Sequence, residues 1–225
     1  MAGRITMQKF ARWHIWLGWA VAVPILLWLA SGLFMSAIPI EEVRGEHLRT
    51  EVKPIDGATL ILPRLSGSVA KLALVSQARG PIWIVTGTDK VPRRYAALNG
   101  VPLGDVNEAE AQLIAAAAFA GKAPLVTMRR FTAEAAPMDL RRARPSWQAS
   151  FADGTRIYVD ADSGEVLALR TRFWRAYDLM WGIHIMDLQT REDTSNPFLW
   201  LFGGLALVST LFGASLLFRR RKARG

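Results

Sequence analysis

Phe151-Ala-Asp-Gly154-Thr-Arg-Ile-Tyr158-Val-Asp160-Ala-Asp-Ser-Gly164-Glu-Val-Leu167 reads as three short strands joined by two tight turns. Asp153-Gly154 marks a hairpin, because the turns that match strand twist need residues tolerant of positive φ. Asp160-Ala-Asp-Ser-Gly164 marks a second turn, ahead of Glu165-Val-Leu-Ala-Leu169. An earlier stretch carries the same marks. Pro81-Ile-Trp83-Ile-Val85 matches Pro145-Ser-Trp147-Gln-Ala149, Gly87 matches Gly154, and Arg94-Tyr95 matches Arg156 and Tyr158 with one Ile between them. Trp83 to Trp147 and Gly100 to Gly164 are both 64 residues apart, and Tyr95 to Tyr158 is 63. A shared period with one indel predicts an internal repeat.

A helix is expected ahead of each set of strands. Asn107 to Gly121 is alanine-rich with Gly121 as its stop signal, and Asp56 to Ser66 is a weaker counterpart interrupted by Pro63. Strands at Ala73–Gln77 and Leu125–Phe131 link helix to hairpin. The reading is two α+β units of about 50–60 residues, each a helix on a small antiparallel sheet. They lie within residues 41–104 and 105–171.

Outward from the repeats lie two uncharged stretches. Ile15 to Ile40 has 26 residues and Pro197 to Phe218 has 22, about 39 and 33 Å as helices. Either length crosses a bilayer. The 225-residue chain carries 28 Lys and Arg against 19 Asp and Glu, a net charge of +9. Arg4, Lys9 and Arg12 precede the first stretch, and Arg219, Arg220, Arg221, Lys222 and Arg224 follow the second. Without those eight, 20 bases face 19 acids, so the middle is nearly neutral and no nucleic-acid surface is expected. Bases at both chain ends place both termini in the cytoplasm, 1–14 at one end and a basic tail over 219–225 at the other. Residues between the spans then lie in the periplasm of a bacterial inner-membrane protein. Trp13, Trp16, Trp19 and Trp200 suit interfacial belts. The first run is too long for a cleaved signal peptide, and Met35 occupies the position where cleavage wants a small residue.

Asn196 can cap the second span with Pro197 at its first helical position. Gly203, Ala206, Thr210, Gly213 and Ala214 form a stripe of small residues that lets another helix approach, whether from the same chain or a second copy. No Cys is present, which excludes disulfides and thiol chemistry, and the three His are His14, His47 and His184. No phosphate-binding Gly loop, nucleotide fingerprint or hydrolase triad appears. Asp160 and Asp162 lack the full spacing of a calcium loop and read as turn chemistry, as do Glu41-Glu42 and Glu192-Asp193. Arg129-Arg130 and Arg141-Arg-Ala-Arg144 read as solvated bases, with anionic headgroups or an anionic siderophore as the alternative contact.

The segment Arg156-Ile-Tyr-Val-Asp-Ala-Asp-Ser-Gly-Glu-Val-Leu167 resembles the closing hairpin of a PepSY domain. Arg12-Trp-His14-Ile-Trp-Leu-Gly18-Trp resembles the opening helix of PepSY-associated transmembrane proteins. The resemblance covers most of the chain. It implies an α+β membrane protein with two transmembrane helices holding two PepSY-like helix and antiparallel-sheet repeats outside the cytoplasm. Larger members have four or more transmembrane helices and include siderophore-iron reductases with b-type haem between helices.

Three histidines are then candidate ligands. His14 shares a helical face with Gly18, Val21 and Ile25, and Gly18 leaves room for a flat ring. From the residues alone it is either an axial haem ligand or an interfacial side chain beside Trp13 and Trp16. Phe173, Trp174, Tyr177, Met180, Trp181, His184, Ile185 and Leu188 recur at helical spacing, with Arg175, Asp178 and Asp187 off that face. Residues 172–196 are therefore expected to form an amphipathic interfacial helix and loop. An imidazole on that stripe needs a metal or a polar partner. The resemblance implies axial haem-iron ligation by His14 and His184, with Trp181 and Met180 beside the ring. His47 reads as a solvated loop residue, or as an alternative second ligand.

One histidine per membrane face implies a homodimer, or a larger membrane complex, that pairs each with its mate. Two functions from different classes follow. One is a haem-b electron-transfer protein, an iron or ferric-siderophore reductase component fed by a separate flavoprotein or quinone. The other is a non-catalytic membrane-tethered PepSY module that restrains a protease or assists assembly of a complex.

Overall fold

A computed structural model of the chain describes residues 2–222, with side chains from 8 to 218. The expected basic tail over 219–225, and Arg4, lie outside the described side chains. The chain divides into two compact units, one built from residues up to Pro39 and from Ala176 onward, the other from Ile40–Arg175.

The first unit pairs two long helices, α1 (Ala2–Ser36) and the chain's last helix, α5 (Pro197–Lys222). Gln8–Ser36 and Pro197–Phe218 are each long and apolar enough to cross a membrane, with a mean hydropathy of 2.0. α1 stops at Ser36, four residues before the expected end of the apolar run, because Pro39 lacks a donor and bars its predecessor from helical geometry. Val21, Ser31 and Ser209 are buried, and Ala11, His14, Leu17, Gly18 and Ile25 are half-buried on the same side of α1 as Val21. Phe10 meets Phe212 edge-to-face at 5.3 Å. Trp13, Trp16, Trp19 and Trp200 are exposed. Of the small-residue stripe on α5, Gly213 is in close contact, whereas Gly203 meets nothing and Thr210 is exposed, bonding back to Ala206 O.

The second unit opens with the short α2 (Ile40–Arg44) and a single 3-10 turn, Glu46–Leu48. It then holds two four-stranded antiparallel meanders, each with its strands in chain order. The first comprises β1 (Val69–Gln77), β2 (Gly80–Gly87), β3 (Pro92–Ala96) and β4 (Pro102–Leu103). The second comprises β5 (Leu125–Phe131), β6 (Ser146–Phe151), β7 (Arg156–Asp160) and β8 (Val166–Arg170), with α3 (Glu108–Ala118) ahead of it.

The two meanders share a hydrogen-bond scaffold at a spacing of 64. Ala97 N donates to Pro81 O and Ala161 N to Pro145 O, both at 3.0 Å. Gly100 N bonds Ala96 O as Gly164 N bonds Asp160 O, and the two glycines take positive φ. Trp83 Nε1 donates to Ile61 O and Trp147 Nε1 to Val106 O, each at 2.8 Å. The expected indel is absent. Trp83 stands opposite Tyr95 and Trp147 opposite Val159, so Tyr95 corresponds to Val159. Tyr158 corresponds to Arg94 instead. A slip of one residue turns a side chain to the other face of the sheet, so the two tyrosines are not equivalents.

The repeats differ in their helix. In the second, Asn107 caps α3 by accepting from Glu110 N at 2.9 Å. α3 ends at Ala118, three residues short of Gly121, and seats Ala111, Ile114 and Ala115 against Trp147, Ala149, Phe151, Ile157, Val159 and Leu169. The first repeat has no counterpart of α3. The expected one at Asp56–Ser66 is one 3-10 turn, Gly57–Thr59, capped by Asp56. The reason is length as well as Pro63. Ile61, which matches Val106, is followed by only seven residues before β1, whereas eighteen separate Val106 from β5.

The other face of the second sheet is closed by the β5–β6 loop. Leu140 packs on Tyr158 and Ala168, and Asp139 accepts from Tyr158 Oη at 2.5 Å and Arg156 Nη1 at 3.1 Å. Burial and the Asp139 bond push the Tyr158 phenol well above its ordinary range. The repeats are fastened together by Arg94, 2% exposed. It pairs with Glu110 of α3 and donates to Gly104 O at 3.0 Å and Gln77 Oε1 at 3.3 Å. Gln77 Nε2 in turn donates to Ser163 O at 2.9 Å. Asp160 and Asp162 form turn chemistry: Asp160 Oδ1 accepts from Asp162 N and Ser163 N, and its Oδ2 pairs with Arg144 Nε at 2.7 Å.

Candidate functional site

α4 (Arg172–His184) carries His184 as its last residue. The apolar stripe of the sequence runs to Leu188, but the helix ends at His184 and is closed by a Schellman cap. Asp187 N bonds Gly182 O and Met186 N bonds Ile183 O, with Met186 at φ 57°. The following loop is tightly built. Asp187 accepts from Gln189 N, Thr190 N, Glu192 N and Asp193 N and from the Thr190 hydroxyl. The Thr190 bond above all, then those backbone donors, hold its carboxyl well below the usual range. Asn196 caps α5 through Leu199 N at 3.0 Å and reaches back to Ile185 O at 2.7 Å. Asp178 is not off the packed face as the periodicity suggested. It is buried, because the loop brings Arg191 Nη1 within 2.7 Å of Oδ2.

This scaffold aims His184 at α1. Nδ1 lies 3.1 Å from Ser31 Oγ and 3.2 Å from Trp28 O. The Ser31 hydroxyl itself donates to Leu27 O at 2.7 Å, leaving its oxygen to accept. The ring rests on Gly32, where a Cβ would stand 3.2 Å from Cε1. Trp28 flanks it at 5.5 Å and Trp181 stacks nearly parallel at 6.5 Å, with Trp181 Nε1 held by Arg191 O. Met180 is half-buried on the same helix.

His14, near the other end of α1, is held in the same way by α5. Nδ1 lies 2.9 Å from Ser209 O and 3.3 Å from Ser209 Oγ. A Cβ on Gly213 would stand 3.0 Å from Cε1. In both cases the ring bonds the carbonyl of helix residue i and sits on a glycine at i+4, Trp28 with Gly32 and Ser209 with Gly213. A carbonyl can only accept, so Nδ1 carries a proton in both rings, and the neutral form of each has its lone pair on Nε2. Gly18, expected to make room for a ring, meets nothing within 4 Å.

Ligating imidazoles are commonly oriented by an Nδ1–H bond to a carbonyl, so each ring fits a single axial ligand in orientation. One chain does not bring two imidazoles to one iron. Gly32, the seat of His184, is eighteen residues along α1 from His14, about 27 Å. His47 lies exposed on the 3-10 turn Glu46–Leu48, with no side-chain hydrogen bond among the described residues. Among the described residues no group of three or more His, Asp or Glu is placed to hold a metal ion.

Ser31, Gly32 and Ser209 were missed by sequence reasoning, and Gly213 was singled out only as a small residue. Their one local signal is a serine or glycine inside an apolar run. An apolar pocket of about 280 Å³, lined by Pro24, Leu27, Ile183, Met186, Phe198 and Phe202 among others, opens in the same unit. Of the remaining bases singled out, Arg129 lies over Phe131 at 5.6 Å and Arg130 over Trp147 at 5.8 Å. No protein-family model matches the chain, and no curated protein or solved structure matches it.

Proposed function

We propose that the chain is a membrane-anchored haem-b electron-transfer protein whose haem sites are completed by a second copy. Its α1 and α5 cross the bacterial inner membrane, the termini are cytoplasmic, and two PepSY-like repeats stand in the periplasm. The observation that carries the reading is the matched seating of His14 and His184. Each Nδ1 is committed to a helix carbonyl and each Nε2 is kept as a lone-pair donor, at opposite ends of one apolar helix pair. A two-fold dimer supplies the second imidazole at each level. Trp28 and Trp181 flank His184, and a second copy laid against them would shut water out.

Haem, when bound, supplies a one-electron iron couple tuned by its axial ligands and its dry surroundings. The chain's own residues fix the imidazoles: Ser31 and Trp28 O for His184, Ser209 for His14. Electrons pass outward from a flavoprotein or quinone donor to a ferric siderophore or another periplasmic acceptor.

One observation favours a second reading. Each imidazole is also a complete helix-to-helix contact within one chain, which suits a rigid, non-catalytic stalk holding a PepSY binding module. The deciding measurement is a reduced-minus-oxidised visible spectrum of gently solubilised protein made with ample haem, beside His14→Ala and His184→Ala. The α-band of bis-imidazole haem, lowered by about half in each variant, supports electron transfer. A featureless spectrum from folded protein decides for the stalk.

A further inference from the structure

A group of guanidinium ions gathers where the second unit joins the rest of the chain. The two junctions, at Ile40 and Arg175, leave that unit close together: a Cβ on Gly45 would lie 3.2 Å from Thr171 Cγ2 and 2.9 Å from Leu169 Cδ2. Here the β6–β7 turn is gripped by the first turn of α4. Arg175 donates from Nη2 to Gly154 O at 2.9 Å and from Nη1 to Arg170 O at 3.3 Å. Arg172 lies across the same glycine, its Nε where a Cβ would stand. Arg156, two residues past the turn, completes the group.

The described acids beside Arg156 are already engaged. Arg156 pairs with Asp139, but the other oxygen of that carboxylate is taken by Tyr158. Arg156 also stands directly opposite Arg170 in the β7–β8 ladder, where like charges repel. Arg170 is engaged by Asp139 O and by the Trp174 ring at 4.0 Å. Arg175 spends its bonds on neutral carbonyls, and Arg172 has no side-chain partner among the described residues. Asp153, the acid of the turn, accepts from Thr155 N at 2.8 Å. Burial, followed by the neighbouring Arg156, makes the Arg175 cation harder to hold, a strain that an anion relieves.

We propose that Arg156, Arg172 and Arg175 form a binding site for a phosphate group, supplied by the headgroup of an anionic phospholipid. Guanidinium forks match phosphate oxygens, and at Ile40 the chain has just left the apolar α1, whose end would stand at the headgroups of a bilayer. The lipid source rests on the reading of α1 and α5 as membrane-inserted; the phosphate chemistry does not.

Full-length protein is purified in a mild detergent and its binding of phosphatidylglycerol, phosphatidylcholine and inorganic phosphate is measured by titration. Arg172→Gln, Arg172→Lys, Arg156→Gln and, in the exposed turn between β1 and β2, Arg79→Gln variants are compared after circular dichroism confirms their fold. The expected result is preference for phosphatidylglycerol, weakened roughly tenfold by Arg172→Gln and Arg156→Gln, restored in part by Arg172→Lys and untouched by Arg79→Gln. Binding of inorganic phosphate alone, with the same pattern of variants, keeps the site and overturns the lipid source. Variants that bind every probe like the parent chain overturn the site. Release of the protein from membranes by alkaline carbonate overturns the inserted reading instead, and the inorganic phosphate titration then tests the site by itself.

Discussion

The two meanders of the second unit share a strand order, a turn scaffold and a spacing of 64 residues, yet only one of them has a deep core. In the second, Ile157, Val159 and Ala149 are fully buried beneath α3. In the first, the matching face buries Val85 but leaves Trp83 and Tyr95 half-buried and Arg93 exposed, and Ile61, Leu62, Leu65, Leu72, Val101 and Leu103 reach solvent. The hydrogen-bond scaffold therefore does not depend on the helix, but the core does. Backbone pairing fixes where the strands run, and the covering layer decides how much apolar surface leaves water.

That contrast can be broken at matched positions by unfolding the full chain in detergent. Trp147→Ala removes an indole from a closed core and is expected to destabilise the second repeat by about 4 kcal/mol, whereas Trp83→Ala costs clearly less. Equal losses would show that the first sheet has a comparable core. Arg94→Ala breaks the fastening between the repeats and strands Glu110, with an expected loss of about 3 kcal/mol. It should split the unfolding of the second unit into two transitions; a single unshifted transition would show that the Arg94 pairing does not couple the repeats.

Tyr158→Phe leaves one oxygen of Asp139 unpaired and should cost about 2 kcal/mol at neutral pH. The pH dependence has a definite sign. A phenol whose folded value is raised above 10.0 contributes stability below that value and loses it as pH climbs toward the folded one. Alkaline destabilisation of the parent above pH 10 should thus be smaller in Tyr158→Phe, and identical curves would discount the burial. Asn107→Ala, which uncaps α3, is expected to cost about 1 kcal/mol, with no counterpart at Leu62, the residue after Ile61.

The smallest effect belongs to the α4–α5 loop. The Asp187 carboxyl, lowered from 3.8, contributes stability above that value that fades as pH falls through and below it. Protease cleavage between Gln189 and Ser195 should rise below about pH 4, and Asp187→Ala should show the same cleavage at neutral pH. Resistance in that variant would mean that Asn196 and Arg191 hold the loop unaided.

What the chain order revealed was whatever depends on near neighbours. The β5 strand, the caps at Asn107 and Asn196, the glycine turns and the apolar helices all follow from residues within a few positions of each other. The tyrosine match failed because identity of residue outweighed parity along the strand, and parity sets the face. The helix expected at Asp56–Ser66 failed because counting residues from an anchor, Ile61, needs the anchor bond to be known first. The seats of the imidazoles were hidden for a different reason. Ser31 meets His184 across 153 residues and Ser209 meets His14 across 195, so no local pattern announces them. Asp178 looked solvent-facing until a loop returned Arg191 to it.

The uninterrupted spacing has a further consequence. Residues 81–103 and 145–167 are cassettes of equal length whose backbone anchors coincide, from the first proline to the last strand. Each could be transplanted into the other's place with its two turns and the anchor bonds of Ala97 and Ala161, Gly100 and Gly164 in register, and only the β7–β8 pairing departs, by a bulge between Tyr158 and Val159. Beyond that bulge such a chimaera would conflict in side chains: Tyr158 would enter the position from which Arg94 reaches Glu110, and Arg93 would enter the closed core of Ile157. The two copies are thus interchangeable as frames and incompatible as contents, a separation of backbone from side chain inside a single polypeptide.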